Sequence, residues 1–174
     1  MIDPSPTFIL RPAAPRDADD LVNLVRELAV FEELEQHAHA TPDDFRRHLF
    51  GPAPAAEAII GEVNGEVVGF ALFYTTFSTF RGCPGLYLED IFVRPAHRGC
   101  GIGKALLASV ARRAVERGYP KLDWSVLDWN SPAIAFYCAA GAWPMEDWTV
   151  YRLDAERLVR LAAAAPDLQG TSRP

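Results

Sequence analysis

Three glycines at alternate positions, Gly99, Gly101 and Gly103, follow an apolar segment that ends at Val93 and precede an amphipathic run that begins at Lys104. Glycine permits tight turns and lets backbone N–H groups approach an anion closely. The start of a helix adds unpaired N–H groups and the positive end of its dipole. The sequence therefore predicts an anion site at a strand–loop–helix junction, of the kind that holds a phosphorylated cofactor.

Two common nucleotide motifs do not fit this loop. A Walker A motif would require glycine where Arg98 stands and Ser or Thr where Ala105 stands. A dinucleotide motif G-x-G-x-x-G that starts at Gly99 places Lys104 at its last glycine, and one that starts at Gly101 places Leu106 there. The pattern that remains is Arg98-x-x-Gly101-x-Gly103.

Two consecutive carboxylates, Glu89 and Asp90, interrupt the apolar segment before the loop. In a regular strand they point to opposite faces, unless a β-bulge changes the direction of one. Since burial of an unpaired carboxylate is costly, we expect them to be exposed, to be paired, or to line a polar cleft. Their proximity to a cofactor loop favours a functional site, because acidic groups with perturbed pKa values cluster at such sites.

A second acidic group lies at the end of the first predicted helix. Apolar residues at steps of three and four predict this helix to about Leu34, with Asp17 in its first turn. Its C-terminal part contains Glu27, Glu32, Glu33 and Glu35, where negative charge is unfavourable for the helix dipole. A solvated face and a site that captures a cation both explain these acids.

The elements that position these residues are predicted by periodicity and turn signals. Asn64-Gly65 between two apolar runs indicates a type I′ hairpin over 58–74. The segment 86–93, the glycine loop, a helix that ends at Gly118 and a strand over 122–126 form a βαβ unit with parallel pairing. The other predicted elements are a strand at 8–10, a short helix from Thr41, a helix over 132–140 with Ser131 as N-cap, a strand over 149–153 and a helix over 155–165.

Length and composition are typical of one domain, which we place at 7–165 between tails at 1–6 and 166–174. The chain has 174 residues, 49% of them hydrophobic, and a net charge of −6. The negative charge argues against nucleic-acid binding and suits a small cationic substrate. His37-x-His39 lacks a third ligand, so no metal is expected, and the three cysteines show no metal or disulfide spacing. No apolar run has the length of a membrane span, and we expect a cytoplasmic protein.

The chain resembles the GNAT acetyltransferases, and within them the spermidine/spermine and thialysine acetyltransferase branch. Arg98-Gly-Cys-Gly-Ile-Gly103 after Leu88-Glu-Asp-Ile-Phe-Val93 is similar to the acetyl-CoA signature of the family. Tyr87-Leu-Glu-Asp90 and Leu127-Asp-Trp-Asn130 are more specific to the branch. Residues 36–56 match poorly, and the segment before Trp148 is shorter than in the polyamine enzymes. The resemblance implies an α/β GNAT fold with a mostly antiparallel mixed sheet, a parallel βαβ unit and flanking helices.

The resemblance also implies how acetyl-CoA binds. The backbone of Ile91, Phe92 and Val93 would bind its pantetheine arm. The diphosphate would lie on Arg98, Gly99, Cys100, Gly101, Ile102, Gly103 and Lys104, and the lower part of CoA on Asn130, Ser131, Pro132 and Ala133. The acceptor would be a small cationic amine held by Phe31, Glu32, Glu89, Asp90, Asp123, Trp124 and Ser125. Family members usually form homodimers.

Chemistry assigns roles within this set. A primary amine with a pKa near ~10 must lose a proton before it attacks a thioester, and Glu89 is the candidate base, directly or through a water. A strand N–H near Ile91–Phe92 would stabilise the oxyanion. By the resemblance Tyr137 is the general acid, although packing in an Ala-rich helix also explains this residue. An acetyltransferase for another amine, such as a protein N-terminus or a drug, and a CoA-binding module without turnover are the alternatives.

Overall fold

A computed structural model describes residues 8–166. The chain divides after Ile134 into two compact units, called here the sheet unit and the C-terminal unit. The predicted tails at 1–6 and 166–174 lie outside the described residues, except for Pro166.

The sheet unit is built on five strands in the order β1-β2-β3-β4-β5. The strands are β1 (Phe8–Pro12), β2 (Glu57–Val63), β3 (Glu66–Ser78), β4 (Cys83–Val93) and β5 (Leu122–Asp123). The first four pair antiparallel, and β5 pairs parallel with β4. The predicted α/β class with a mixed, mostly antiparallel sheet and a parallel βαβ unit is confirmed.

The helices are α1 (Ala18–Phe31), α2 (Pro42–Phe50), α3 (Ile102–Glu116), α4 (Ser131–Ala139) and α5 (Ala155–Ala162). Helix α4 spans the division between the units, and α5 belongs to the C-terminal unit. Within residues 8–166, no helix combines the length and the apolar character needed to cross a bilayer.

Helices α1 and α3 cover opposite faces of the sheet. Leu21 and Leu24 of α1 pack in one cluster with Ile60 and Phe70. Gly61, the neighbour of Ile60, faces α3, because a Cβ at this position would lie 3.1 Å from the Ile102 side chain. Successive strand residues point to opposite faces, so the sheet forms the middle layer of an α/β/α arrangement.

Two predicted turns are confirmed in detail. Asn64 and Gly65 both have positive φ, at 51° and 83°, as a type I′ hairpin turn requires. Gly118, with φ 69°, ends α3, and the N–H of the next residue, Tyr119, donates to the carbonyl of Ala114 at 2.8 Å.

Several helix boundaries differ from prediction. Helix α1 stops at Phe31, three residues before the predicted end, because Glu33 adopts a left-handed φ of 58°. Asp17 precedes this helix and is buried. The helix at 131–139 is capped by Asn130 rather than Ser131, because the Asn130 Oδ1 accepts a hydrogen bond from the Ala133 N–H at 3.2 Å.

Two predicted strands are shorter or absent. The strand expected over 122–126 contains only Leu122–Asp123, since β4 bends at a bulge directly beyond this pairing. The segment 149–153 forms no strand, and Val150 and Tyr151 are exposed. Alternation of apolar residues indicates which face of a strand would be buried, but a strand also needs a partner, and none pairs with this segment among the described residues.

Candidate active site

The glycine loop is shaped as an anion cradle. Gly99 and Gly101 are left-handed, with φ of 79° and 87°, which only glycine adopts without strain. The Arg98 N–H donates to Pro95 and the Ala105 N–H donates to Gly101. Between them, the N–H groups of residues 99–104 donate to no acceptor in the described part of the chain. These donors and the N-terminus of the 15-residue α3 are available to a bound anion.

Strand β4 presents an unpaired edge immediately before this loop. Along one side it pairs with β3 from Cys83 to Val93, whereas β5 pairs with only Leu86 and Tyr87 on the other side. Residues 88–93 therefore have no strand partner on that side among the described residues. The Val93 carbonyl accepts a hydrogen bond from Arg98 Nε at 2.9 Å, which ties the loop to the end of the strand. An extended ligand can bind along this edge.

A β-bulge at Glu89 rearranges the carboxylates. Leu72 pairs with Asp90 and Phe73 pairs with Leu88, so Glu89 has no partner on β3. Directly opposite residues share a face of the sheet, so Asp90 lies on the same face as Leu72. Tyr74, two residues further along β3, shares this face, together with its partner Tyr87. The bulge thus brings Tyr87 and Asp90 to the face that α1 covers.

Asp90 lies near two other carboxylates, Glu89 and Glu32. The pKa of Asp90 is raised to about 6, mainly by burial and also by the negative charges of Glu89 and Glu32. Burial also raises the pKa of Glu32, which directly follows α1. Because no basic group contributes to either shift, the cluster is a concentration of uncompensated negative charge. Such a cluster attracts a cationic ligand.

Tyrosines surround the bulge. Burial and the nearby charge of Glu89 raise the pKa of Tyr74, and the Tyr74 and Tyr87 ring centroids lie 5.4 Å apart. The Tyr87 hydroxyl lies 2.7 Å from Ser125 Oγ. Sequence analysis did not select Tyr74. Its place on β3, opposite the strand that carries Glu89 and Asp90, could have indicated this residue once the hairpin was predicted.

An aromatic group adjoins the acids. Phe31, at the end of α1, lies 6.1 Å from Trp129 between ring centroids. The Arg98 guanidinium stacks over Phe31 at 5.0 Å and over Phe92 at 5.6 Å from the ring centroids. The Arg98 side chain therefore connects the glycine loop to Phe31 of α1 and to Phe92 of β4 through cation–π contacts.

Other predicted site residues have local partners. Asp123 forms an ion pair with Lys121, and Trp124 is half-buried. Asn130 is buried and uses its side-chain oxygen to cap α4, so Ser131, Pro132 and Ala133 form the first turn of that helix. Cys100 is exposed within the loop.

Tyr137 belongs to the C-terminal unit. It is half-buried in α4, and its ring centroid lies 5.3 Å from that of Phe136. Its predicted role as general acid stays a prediction. Residues 8–166 contain no group of three or more side chains arranged to hold a metal ion.

Comparison with known proteins identifies the family. The model of the Acetyltransferase (GNAT) family matches residues 22–142. The chain is 35% identical to the thialysine N-epsilon-acetyltransferase of Bos taurus, over 88% of this chain and 96% of the relative. It is 42% identical to an L-ornithine N5-acetyltransferase of Arabidopsis thaliana, over 86% of this chain and 85% of the relative.

A solved structure supports the same fold. An integron cassette protein of V. cholerae superposes with a TM-score of 0.75 and 26% identity, over 89% of this chain and 97% of the other. The resemblance seen in the glycine loop and in the segments 87–90 and 127–130 is confirmed. The chain belongs to the GNAT family and is an N-acetyltransferase.

Proposed function

We propose that this enzyme uses acetyl-CoA to acetylate a primary amine of a small acceptor that carries a second positive charge, such as a polyamine or a lysine- or thialysine-like amino acid. The observation that carries the proposal is the cluster of Glu32, Glu89 and Asp90 at the bulge of β4, next to the unpaired edge of that strand. The relatives named for thialysine and L-ornithine support a small amine acceptor.

The residues present fit acetyl-CoA, which supplies the acetyl thioester when it is bound. The free N–H groups of residues 99–104 suit its diphosphate, because an anion satisfies donors that have no protein partner. The unpaired edge at Ile91–Val93 suits the amide groups of its pantetheine arm. Residues 130–133, at the start of α4, would contact the lower part of CoA.

Proton transfers are assigned to two side chains. Glu89 is exposed at the bulge and would take the proton from the ammonium group of the acceptor, directly or through a water. A backbone N–H on the free edge near Ile91–Phe92 would donate to the developing oxyanion. Tyr137 would protonate the departing thiolate.

The remaining carboxylates would hold the second charge of the acceptor. Asp90 and Glu32 have raised pKa values, so an acceptor cation stabilises their ionised forms. Phe31 lies beside Glu32 and offers an aromatic face to the methylene chain or the cation of the acceptor. Asp123, Trp124 and Ser125 would line the rest of the acceptor channel.

CoA release across an amine panel tests the proposal. The panel contains spermidine, putrescine, thialysine and lysine, with a peptide that has a free N-terminus and an aminoglycoside as the alternative acceptors. We expect turnover with at least one of the first four, and a higher KM for that amine in Glu32→Gln. Turnover of only the peptide or the aminoglycoside would contradict the small acceptor. Binding of acetyl-CoA without CoA release from any amine would indicate a binding module.

We propose further that the enzyme is a cytoplasmic homodimer. The C-terminal unit exposes a set of large apolar side chains, as surfaces that contact another chain do. They include Trp143, Trp148, Val150 and Tyr151. Light scattering should give about twice the monomer mass of 19.2 kDa, and a monomeric mass at micromolar concentration would contradict the dimer.

A further inference from the structure

A basic residue outside the predicted site, Lys121, lies on the same face of the sheet as Asp90. Tyr87 shares a face with Asp90, because their partners on β3 are two residues apart. Asp123 of β5 pairs directly with Tyr87, and directly opposite residues share a face. Lys121 is two residues before Asp123, so the pleat places it on this face as well, which is called here the acceptor face.

Contacts of the Lys121 side chain agree with this placement. Its Nζ forms an ion pair with the Asp123 carboxylate. A Cβ at Gly85 of β4 would lie 2.7 Å from Lys121 Cγ and 3.0 Å from its Cε, so the stem crosses the strand where glycine leaves room. Gly85 is two residues before Tyr87 and therefore lies on the acceptor face. Lys121 is thus held on this face, with its ammonium group beside Asp123.

The ammonium group of Lys121 can bind an anion while it is paired with Asp123. An ammonium group has three donors, and the hydrogen bond to Asp123 uses one of them. The side chains of Lys121 and Asp123 are 31% and 46% exposed, so a ligand can reach both. A positive charge at this place repels a polyamine, whose charges are all positive, and attracts a carboxylate.

The spacing of these charges fits an α-amino acid. Tyr87 and Asp90 lie about 7 Å apart along the strand, because their partners on β3 are two residues apart. Asp123 lies about 5 Å to the side of Tyr87, on the neighbouring strand. An α-ammonium group on Asp90 and an α-carboxylate on Lys121 span such a distance, since each charge-assisted hydrogen bond adds about 2.8 Å.

We propose that Lys121 is a specificity-determining residue that binds the carboxylate of the acceptor, so that the enzyme prefers diamino acids to polyamines. This inference rests on the proposed function, because it chooses between the two classes of acceptor named there. Lys121 takes no part in proton transfer. Its loss should therefore change the KM for the acceptor and leave the KM for acetyl-CoA close to wild type.

Two pairs of acceptors isolate the carboxylate. L-Ornithine differs from putrescine, and L-lysine from cadaverine, only by a carboxylate on a carbon that bears an amine. In wild type the amino acid of each pair should have a KM lower by about tenfold or more. Lys121→Met should abolish this preference, because the carboxylate loses its charged donor. A preference that survives in Lys121→Met, or a wild type that prefers the diamines, would overturn the proposal.

Two further variants separate this contact from a general effect of charge. Gly85→Ala keeps the Lys121 charge but displaces its stem, so it should weaken the preference for amino acids. Arg113→Met is the matched control, because Arg113 of α3 is also paired with a carboxylate, that of Glu116, and α3 covers the opposite face. It should match wild type. Equal KM changes in Lys121→Met and Arg113→Met would show an effect of net charge and contradict the contact.

Binding distinguishes failure of this inference from failure of the proposed function. Calorimetric titration of the CoA-bound enzyme with L-ornithine measures affinity without turnover. If wild type releases CoA with no amine, the proposed function fails, and weaker ornithine binding in Lys121→Met would still support the carboxylate site. Equal binding in the two proteins, or none in either, would contradict it. If wild type turns over both members of each pair with equal KM, the proposed function stands and the role of Lys121 fails.

Discussion

At the scale of single residues, adjacent carboxylates have different environments. Glu89 is exposed and has no partner on β3, whereas Asp90 is half-buried and repelled by Glu89 and Glu32. Pairs of acids whose environments differ in this way often divide the work of a site. Here Glu89 is proposed to move a proton and Asp90 to hold a charge.

Replacement of Tyr137 tests the proposed general acid. Tyr137→Phe keeps the ring and removes only the phenolic hydroxyl group. We expect turnover to fall by about 10²-fold, with acetyl-CoA affinity close to wild type, because the proton is needed only when the thiolate leaves. Steady-state kinetics and calorimetric titration with acetyl-CoA measure both effects. Unchanged turnover would remove Tyr137 from the mechanism and leave it a packing residue.

Asp90→Asn should stabilise the protein at neutral pH. The folded pKa of Asp90, about 6, lies above the ordinary aspartate value of 3.8. The folded state therefore binds more protons than the unfolded state between these values, and wild-type stability falls as pH rises through this window. The variant lacks this loss, so it should be more stable by about 1–2 kcal/mol at pH 8, with the difference vanishing below about pH 4.

The same variant should bind the acceptor less well. Its KM for a diamine should rise about tenfold or more at pH 8, because the charge that attracts the second cation is gone. In wild type this KM should rise as pH falls through about 6, where Asp90 becomes neutral. Urea unfolding and kinetics across pH measure the two effects. A destabilised variant with an unchanged KM would contradict the assigned environment of Asp90.

At the scale of elements, the junction between β4 and α3 depends on backbone conformation. Gly101 precedes α3 with φ 87°, and its N–H is one of the donors without a protein partner. A Cβ at this position would meet no atom within 4 Å, so a substitution acts through the backbone alone. A substitution of Gly101 therefore tests the backbone conformation without adding a steric clash.

Gly101→Ala should therefore weaken acetyl-CoA binding. A non-glycine residue in this left-handed conformation costs about 1–2 kcal/mol, and relief of the strain would turn the N–H groups away from the diphosphate. Gly65→Ala is the matched control, because Gly65 has φ 83° and equally open space, but lies in the β2–β3 turn. Both variants should lose similar stability in urea, and only Gly101→Ala should lose affinity. Equal affinities in the two variants would contradict the anion cradle.

At the scale of the whole molecule, a buried ionic network ties the start of the chain to the sheet. Asp17 is 2% exposed and binds Arg11 through both carboxylate oxygens, at 2.6 and 2.7 Å. Arg11 also binds Glu62 on β2 at 2.6 Å. The network joins β1, β2 and the entry to α1, well away from the proposed chemistry in sequence.

Asp17→Asn should destabilise the fold without a change in the site. Loss of one partner leaves the Arg11 charge poorly compensated, at a cost of about 3 kcal/mol at pH 7. The Arg11 hydrogen bonds lower the pKa of Asp17, so its contribution is present above the ordinary carboxyl pKa and is lost as pH falls through the folded value. The gap between wild type and variant in urea should therefore narrow below about pH 4. If the difference in free energy of unfolding between wild type and variant does not change with pH, then lost packing and not lost ionisation causes the destabilisation.

Local chemistry explains how much of this protein could be predicted from sequence. The Asn64-Gly65 hairpin, the glycine loop, α3 with its Gly118 end and the parallel βαβ unit follow from turn residues and periodicity. These signals depend on neighbours in the chain, so no tertiary context is needed to interpret them. The pair Glu89-Asp90 was found for the same reason, from its place before the loop.

Only the tertiary structure decided what lies across strands. The bulge that pairs Asp90 with Leu72 depends on the register between β3 and β4, which the sequence of β4 alone leaves open. That register places Asp90 near Glu32. It also places Tyr74 near Glu89. The missing strand at 149–153 has the same cause, since pairing needs a partner from elsewhere. The glycine-rich junction between β4 and α3 follows from local sequence, whereas the register of neighbouring strands sets which acids lie beside it.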